Sequence, residues 1–330
     1  LKSENSRGVI MKKGILFLTL VVIAIACSKK KTDEESEGIS DNVSNIIESA
    51  LSDVTASADN VDGSVSSMVA DGFNLFGSEI RPLAACSIGT ARSSCNTTAL
   101  TRTVDWAECS ITLSTGDATL DGTVTETYSG FGAASCTMTG NNSTVKRAIS
   151  SSDPVILTLP SGAKITTDNE PGTAWDGTTF TTPEDGTSVI RYESGTSNGL
   201  SCAVGSGRCM RVVHNGLHRK LVGPRGTTWF EHILSSDVSF TGTKASGDRA
   251  MSGSATVWHE IAEYKAVNTF NTVTWGSSSC CYPTSGSIST VLTGTVSGNT
   301  TLTFTSTCGE ATYVDKDGES STLELTSCTN

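Results

Sequence analysis

Two segments place histidine at spacings used by metal sites. His259-Glu260-Ile261-Ala262-Glu263 stops one residue short of His-Glu-x-x-His. A zinc site of that kind needs two imidazoles four residues apart on one helical face. Glu263 occupies the second position, and the run from Thr256 to Trp275 is rich in aromatic and β-branched residues, so it reads as strand. His214-Asn215-Gly216-Leu217-His218 has the four-residue spacing itself. Asn-Gly between apolar runs is the strongest short hairpin signal, however. A two-residue turn there pairs His214 with Leu217 and Val213 with His218. The imidazoles then point to opposite faces, so no metal site is expected.

The same hairpin predicts two faces. One carries Met210, Val212, His214, Leu217, Arg219 and Leu221; the other carries Arg211, Val213, His218 and Lys220. Between residues 191 and 225, five arginines and Lys220 stand against Glu193 alone. Guanidinium forks suit phosphates and carboxylates. Arg208, Arg211, His218, Arg219, Lys220 and Arg225 are therefore the candidate anion-binding residues, for a lipid headgroup, an envelope glycan or an acidic protein partner. The competing reading pairs these charges with acidic neighbours in the fold.

Catalytic groupings are incomplete. Ser143-Thr-Val-Lys146 has the Ser-x-x-Lys spacing of penicillin-binding enzymes, which also need Ser-Asp-Asn and Lys-Thr-Gly downstream. Ser40-Asp-Asn42 lies upstream and Lys-Thr-Gly is missing, so no catalytic residue is assigned. Asp315-Lys-Asp-Gly318 reads as a hairpin turn before it reads as a calcium loop. The five Trp would stack on sugars if exposed, but core packing is their default. No cofactor is expected.

Residues 11–31 run from Met11-Lys12-Lys13 through a short apolar stretch to Cys27-Ser28-Lys29. This is the layout of a secretory signal. Residues 1–10 read as an upstream mis-start. Ala24-Ile25-Ala26-Cys27 resembles the lipobox of bacterial lipoproteins, departing from it at Ala24, where a large aliphatic is commoner. The resemblance implies cleavage before Cys27, acylation of that cysteine and attachment to a membrane. Ser28, where Asp would favour retention in the inner membrane, implies the outer membrane of a Gram-negative-type bacterium. The side of that membrane is left open.

With Cys27 acylated, an even set remains: Cys86, Cys95, Cys109, Cys136, Cys202, Cys209, Cys280, Cys281, Cys308 and Cys328. That suits a disulfide framework in an oxidising compartment. Loop spacing suggests Cys202–Cys209, Cys86–Cys95 and Cys308–Cys328, with Cys109–Cys136 by elimination. Cys280 and Cys281 pair elsewhere or with each other.

The elements that must position these residues change along the chain. Residues 27–38 form a charged tether behind the signal peptide of residues 1–26. Ile39, Val43, Ile46, Ile47, Ala50, Leu51 and Val54 recur at helical steps, so residues 39–83 are expected to be helical. From residue 84 to 330 the period becomes two, as in Thr301-Leu302-Thr303-Phe304 and Ser287-Ile288-Ser289. Turn signals at Asp117, Asn142, Gly216, Asn299 and Gly318 separate the runs. The expectation is a mainly β, antiparallel meander (a sandwich, an open barrel or a long curved sheet) with a weak break near residue 150.

Composition agrees with export. The chain has 47 Ser and 48 Thr among 330 residues, a net charge of −11, and 17% charged residues where about 25% is usual. This excludes a strongly basic nucleic-acid binder, a coiled coil and a multispanning helical membrane protein. The expected role is a non-enzymatic binding or scaffolding protein of the cell envelope; a surface adhesin, a lipid or glycan carrier and an envelope hydrolase are the alternatives.

Overall fold

A computed structural model describes residues 90–325, apart from 114–115, 150–151, 169–173, 176–179, 182–186, 204–206, 243–246, 277–278 and 281. These residues belong to one compact unit, Ser40–Asn330. The expected helical segment, Cys27, Cys86, Cys281 and Cys328 lie outside the described residues.

The strands are β1 (Thr90–Arg92), β2 (Thr101–Leu113), β3 (Gly116–Ser129), β4 (Thr144–Ile149), β5 (Val155–Thr158), β6 (Lys164–Asp168), β7 (Ala174–Trp175), β8 (Phe180–Thr181), β9 (Thr187–Glu193), β10 (Thr196–Ser197) and β11 (Leu200–Ser201). They continue as β12 (Cys209–Val222), β13 (Thr228–Thr241), β14 (Ala250–His259), β15 (Tyr264–Thr274), β16 (Ser285–Gly294), β17 (Gly298–Phe304), β18 (Glu310–Val314) and β19 (Ser320–Glu324). One 15-stranded sheet takes in all but β7–β8 and β10–β11, which are separate two-stranded pairs. Every pairing is antiparallel, as short connections between sequential strands require.

The register reduces this sheet to a meander. Going along β3, β4 covers Val124–Ser129 and β5 covers Thr119–Asp121. Along β12, β9 covers Cys209–Asn215 and β6 covers His218–Val222. So β4 with β5, and β6 with β9, each act as one long strand. On either side of residues 150–151, β4 and β5 pair with the same strand, β3.

Alternation sorts the strands into two faces. On the inner face, Ile190, Val212, Val238, Phe270, Ile288 and Leu302 lie within one apolar band, all buried. A second apolar band holds Leu217, Leu234, Val257, Ala266 and Leu292. Full burial of each large side chain contributes about 1.5–3 kcal/mol. Between the bands runs a polar line of directly paired residues from β2 to β17: Arg102, Glu126, Arg147, Ser188, His214, Ser236, Ala255, Asn268, Thr290 and Thr300. A shorter polar line, Thr167–Arg219–His232–His259–Tyr264, lies beyond the second apolar band.

The hairpin expected at Asn215-Gly216 does not form. β12 continues from Cys209 to Val222, and its register against β13 shifts between His214 and Leu217. Gly216 sits at φ 72° and donates its N–H to Ser235 Oγ at 3.0 Å. Asn-Gly thus meets its need for positive φ in a bulge rather than a turn. The extra residue in the bulge keeps His214 and Leu217 on one face, so the two predicted faces survive with a different cause.

Disulfides lock the loops. Cys202–Cys209 forms as expected. Cys95 bonds Cys136, which replaces both the Cys86–Cys95 and the Cys109–Cys136 pairings. Cys280 bonds Cys308, which replaces Cys308–Cys328 and excludes a Cys280–Cys281 ring. Cys109 is also disulfide-bonded. Loop spacing found Cys202–Cys209 and missed the other two pairs because sheet neighbours bring distant loops together at the strand ends.

Candidate functional site

The predicted anion-binding residues are dispersed over both faces. Arg219 is buried on the inner face, 1% exposed, beside Thr167 and His232. Arg211 is on the outer face and forks onto Asp237, with Nε to Oδ1 at 2.7 Å and Nη2 to Oδ2 at 2.5 Å. It also reaches Glu193 Oε1 at 3.4 Å. Hydrogen bonding to Arg211 is the main reason that the Asp237 carboxyl lies below its usual range. Arg208 stacks on the Tyr192 ring at 4.8 Å. Arg225 is exposed in the β12–β13 turn, where it lines a cleft of about 300 Å³ with Gly223, Pro224, Thr227 and Trp229. Trp229 is 47% exposed.

His218 and Lys220 stand on the outer face among carboxylates. His218 Nδ1 lies 2.9 Å from Asp168 Oδ1, and Nε2 lies 3.0 Å from Glu231 Oε1. Lys220 Nζ is 3.7 Å from the same Glu231 oxygen. Register explains the cluster, since β12 sets His218 opposite Asp168 of β6 and Lys220 opposite Glu231 of β13. Burial lowers the His218 pKa, but Asp168 and Glu231 outweigh it and raise it above the ordinary value. Glu260, in the β14–β15 turn, is pushed up to about 7 by burial and by Glu231. His259-Glu260 is therefore the end of a strand and its turn, not a helix.

The chemistry open to this cluster is limited. An imidazole bonded at both nitrogens has no free lone pair for a metal or a substrate proton. It also fills the space between Asp168 and Glu231, where two hydrolytic carboxylates would need a scissile bond. Asp315 is likewise engaged, its Oδ1 accepting the N–H groups of Asp317 and Glu319 at 2.9 Å each.

Inside, Glu126 is 1% exposed. It receives Arg102 Nη2 at 2.6 Å, Arg147 Nε at 3.1 Å and the Tyr128 hydroxyl at 2.8 Å. Burial raises its pKa, but Arg147, Arg102 and Tyr128 together hold it below the usual range. The sequence offered no sign of this network, because its members lie on three different strands.

The outer face of the C-terminal strands differs. One line of paired residues is Asn271–Ser287–Thr303–Thr312–Thr322. The next is Ser254–Thr269–Ser289–Thr301–Val314–Ser320, and a third holds Thr256–Val267–Val291–Asn299. None of these residues is charged, and each is at least partly exposed. Asn271 Nδ2 donates to Ser287 and Ser289 at 3.4 and 3.2 Å. Strand spacing puts neighbours about 4.8 Å apart across the sheet and about 6.7 Å along it, so the hydroxyls form a regular field. The alternation Thr301-Leu302-Thr303-Phe304 was its legible sign.

Comparison of the chain with known protein families, with curated proteins and with solved structures finds no match.

Proposed function

We propose that this chain is an outer-membrane lipoprotein, anchored through acyl chains on Cys27, with a non-enzymatic binding or scaffolding role in the cell envelope. Its binding face is the uncharged hydroxyl field of β14–β19. The field carries the proposal: the outer charges of Arg211, His218 and Lys220 are taken up by Asp237, Asp168 and Glu231, whereas the field's hydroxyls face solvent. Disulfide-linked loops support an oxidising compartment. A neutral surface that both donates and accepts hydrogen bonds suits a neutral, hydroxyl-rich partner such as envelope glycan.

The anchor is tested by intact-mass measurement of the mature protein. The expected species begins at Cys27 and carries two or three acyl chains, and Cys27→Ser moves the protein out of the membrane fraction. An unmodified N-terminus elsewhere, with unchanged fractionation of the variant, would contradict it.

A further inference from the structure

A Trp can stack on a sugar only where its ring reaches solvent. Trp106 and Trp275 are buried and Trp258 is partly covered, whereas Trp229 is about half exposed. Trp229 stands at the start of β13, beside the turn of residues 223–227. With Gly223, Pro224, Arg225 and Thr227 it lines the cleft of about 300 Å³. Two backbone hydrogen bonds close that turn: Gly223 N–H donates to Thr227 O at 2.8 Å, and Gly226 N–H to Gly223 O at 2.9 Å. The indole lies against Gly223, where a Cβ would collide with Cζ2, Cε2 and Nε1 of the ring. Pro224 lies next to the β5–β6 turn at Gly162. The ring and the turn are thus positioned before any ligand arrives, which lowers the ordering cost of binding.

The lining selects the ligand. A cleft of about 300 Å³ is at the lower end of the usual range for ligand sites, so it takes one ring rather than a chain. The negative face of an indole attracts the slightly positive C–H groups on the flat side of a pyranose. Arg225 is exposed and is the one charged residue of the lining. Among the described residues, neither its guanidinium nor the Thr227 hydroxyl has a hydrogen-bond or ion-pair partner. A guanidinium fork matches a carboxylate in geometry and in charge, whereas a phosphate monoester carries nearly two charges. The Thr227 hydroxyl both donates and accepts, as a ring hydroxyl does.

We propose that the β12–β13 turn binds one acidic pyranose, with the sugar ring on the Trp229 indole and its carboxylate in the Arg225 fork. This goes beyond the neutral partner of the hydroxyl field. The turn lies outside β14–β19, so the site does not rest on that field.

The test is saturation-transfer NMR on the whole mature protein, titrated with sodium D-glucuronate, D-glucose or D-glucose 6-phosphate. Glucuronate is expected to receive saturation and to bind at least about tenfold more tightly than glucose, which has the ring without the carboxylate. It is also expected to bind more tightly than the 6-phosphate. Arg225→Ala should bring glucuronate down to the level of glucose, and Trp229→Ala should abolish the binding of both. Arg225 is exposed, so its variant keeps the melting temperature of the native protein. Thr301→Lys/Thr303→Lys, in the hydroxyl field, should bind glucuronate as the native protein does. Absence of saturation on glucuronate, equal binding of glucuronate and glucose, tighter binding of the 6-phosphate, or undiminished binding by Arg225→Ala would overturn the site.

Discussion

The N-terminal and C-terminal halves of the sheet handle polar groups in opposite ways. From β2 to β13 the sheet carries charged residues that pair with one another: Glu126 with Arg102 and Arg147 inside, Arg211 with Asp237 and His218 with Asp168 outside. From β14 to β19 the three outer lines and the inner Asn268, Thr290 and Thr300 carry no charge. On the inner face they form short bonds such as Thr290 to Asn268, and on the outer face they stand in solvent. A buried charge must be paired, so Glu126, Arg102 and Arg147 are held to one another. A hydroxyl costs little to leave in water, so the second half can keep its hydrogen-bonding capacity for something else. On the proposed reading, the second half supplies the binding face.

Acid should act first on the buried histidines of β12–β14. His214, His232 and His259 are buried and neutral, with folded pKa values below the ordinary value. The unfolded chain binds protons at these sites below about pH 6.5, whereas the folded chain does not, so stability falls as pH falls. Glu260, raised to about 7, works against this with a single proton and is outweighed by the three imidazoles. His218 has a raised pKa, so its contribution is complete below about pH 6.5 and is lost as pH climbs through the folded value. Chemical denaturation across pH should show a maximum near neutrality. His218→Gln should remove the alkaline decline and leave the acid limb intact; loss of the acid limb instead would contradict the assignment.

At fixed pH, Glu126→Gln leaves Arg102 and Arg147 without their carboxylate and should cost about 3–5 kcal/mol by urea denaturation. Breaking the Cys280–Cys308 link, which spans 28 residues, should cost about 2–4 kcal/mol in Cys280→Ser/Cys308→Ser. Thr290→Val, at the neutral end of the same inner line as Glu126, should cost only about 1 kcal/mol. If Thr290→Val and Glu126→Gln proved equally damaging, the contrast between the two halves would fail.

The sequence announced the neutral half more plainly than the charged one. Thr-x-Thr-x alternation through Thr301-Leu302-Thr303-Phe304 exposes its strands and its faces together, since a period of two sorts side chains without knowledge of any partner. The antiparallel β class was legible on the same ground, whereas the faces of β12 were read from a hairpin that a bulge replaces. The charge pairs were not, because Arg211 meets Asp237 and Arg102 meets Glu126 only through register. Asn215-Gly216 shows the limit of local signals: it specifies a positive φ, and the neighbouring strands decide whether that becomes a turn or a bulge. Cysteine spacing found Cys202–Cys209 but missed Cys280–Cys308, which are joined by adjacent strand ends and not by a closed loop.

The smallest expected effect on stability carries the largest on function. Thr301 and Thr303 lie on the exposed side of β17, so Thr301→Lys/Thr303→Lys should alter stability by no more than about 0.5 kcal/mol per site. The direct measurement is retention of the mature protein on isolated Gram-negative cell-envelope fragments, native against this variant. The account predicts that the native protein is retained and that the variant loses at least about tenfold in affinity with its melting temperature unchanged, because two desolvated charges are costly against a neutral partner. Equal retention of the two proteins would remove the hydroxyl field as the binding face.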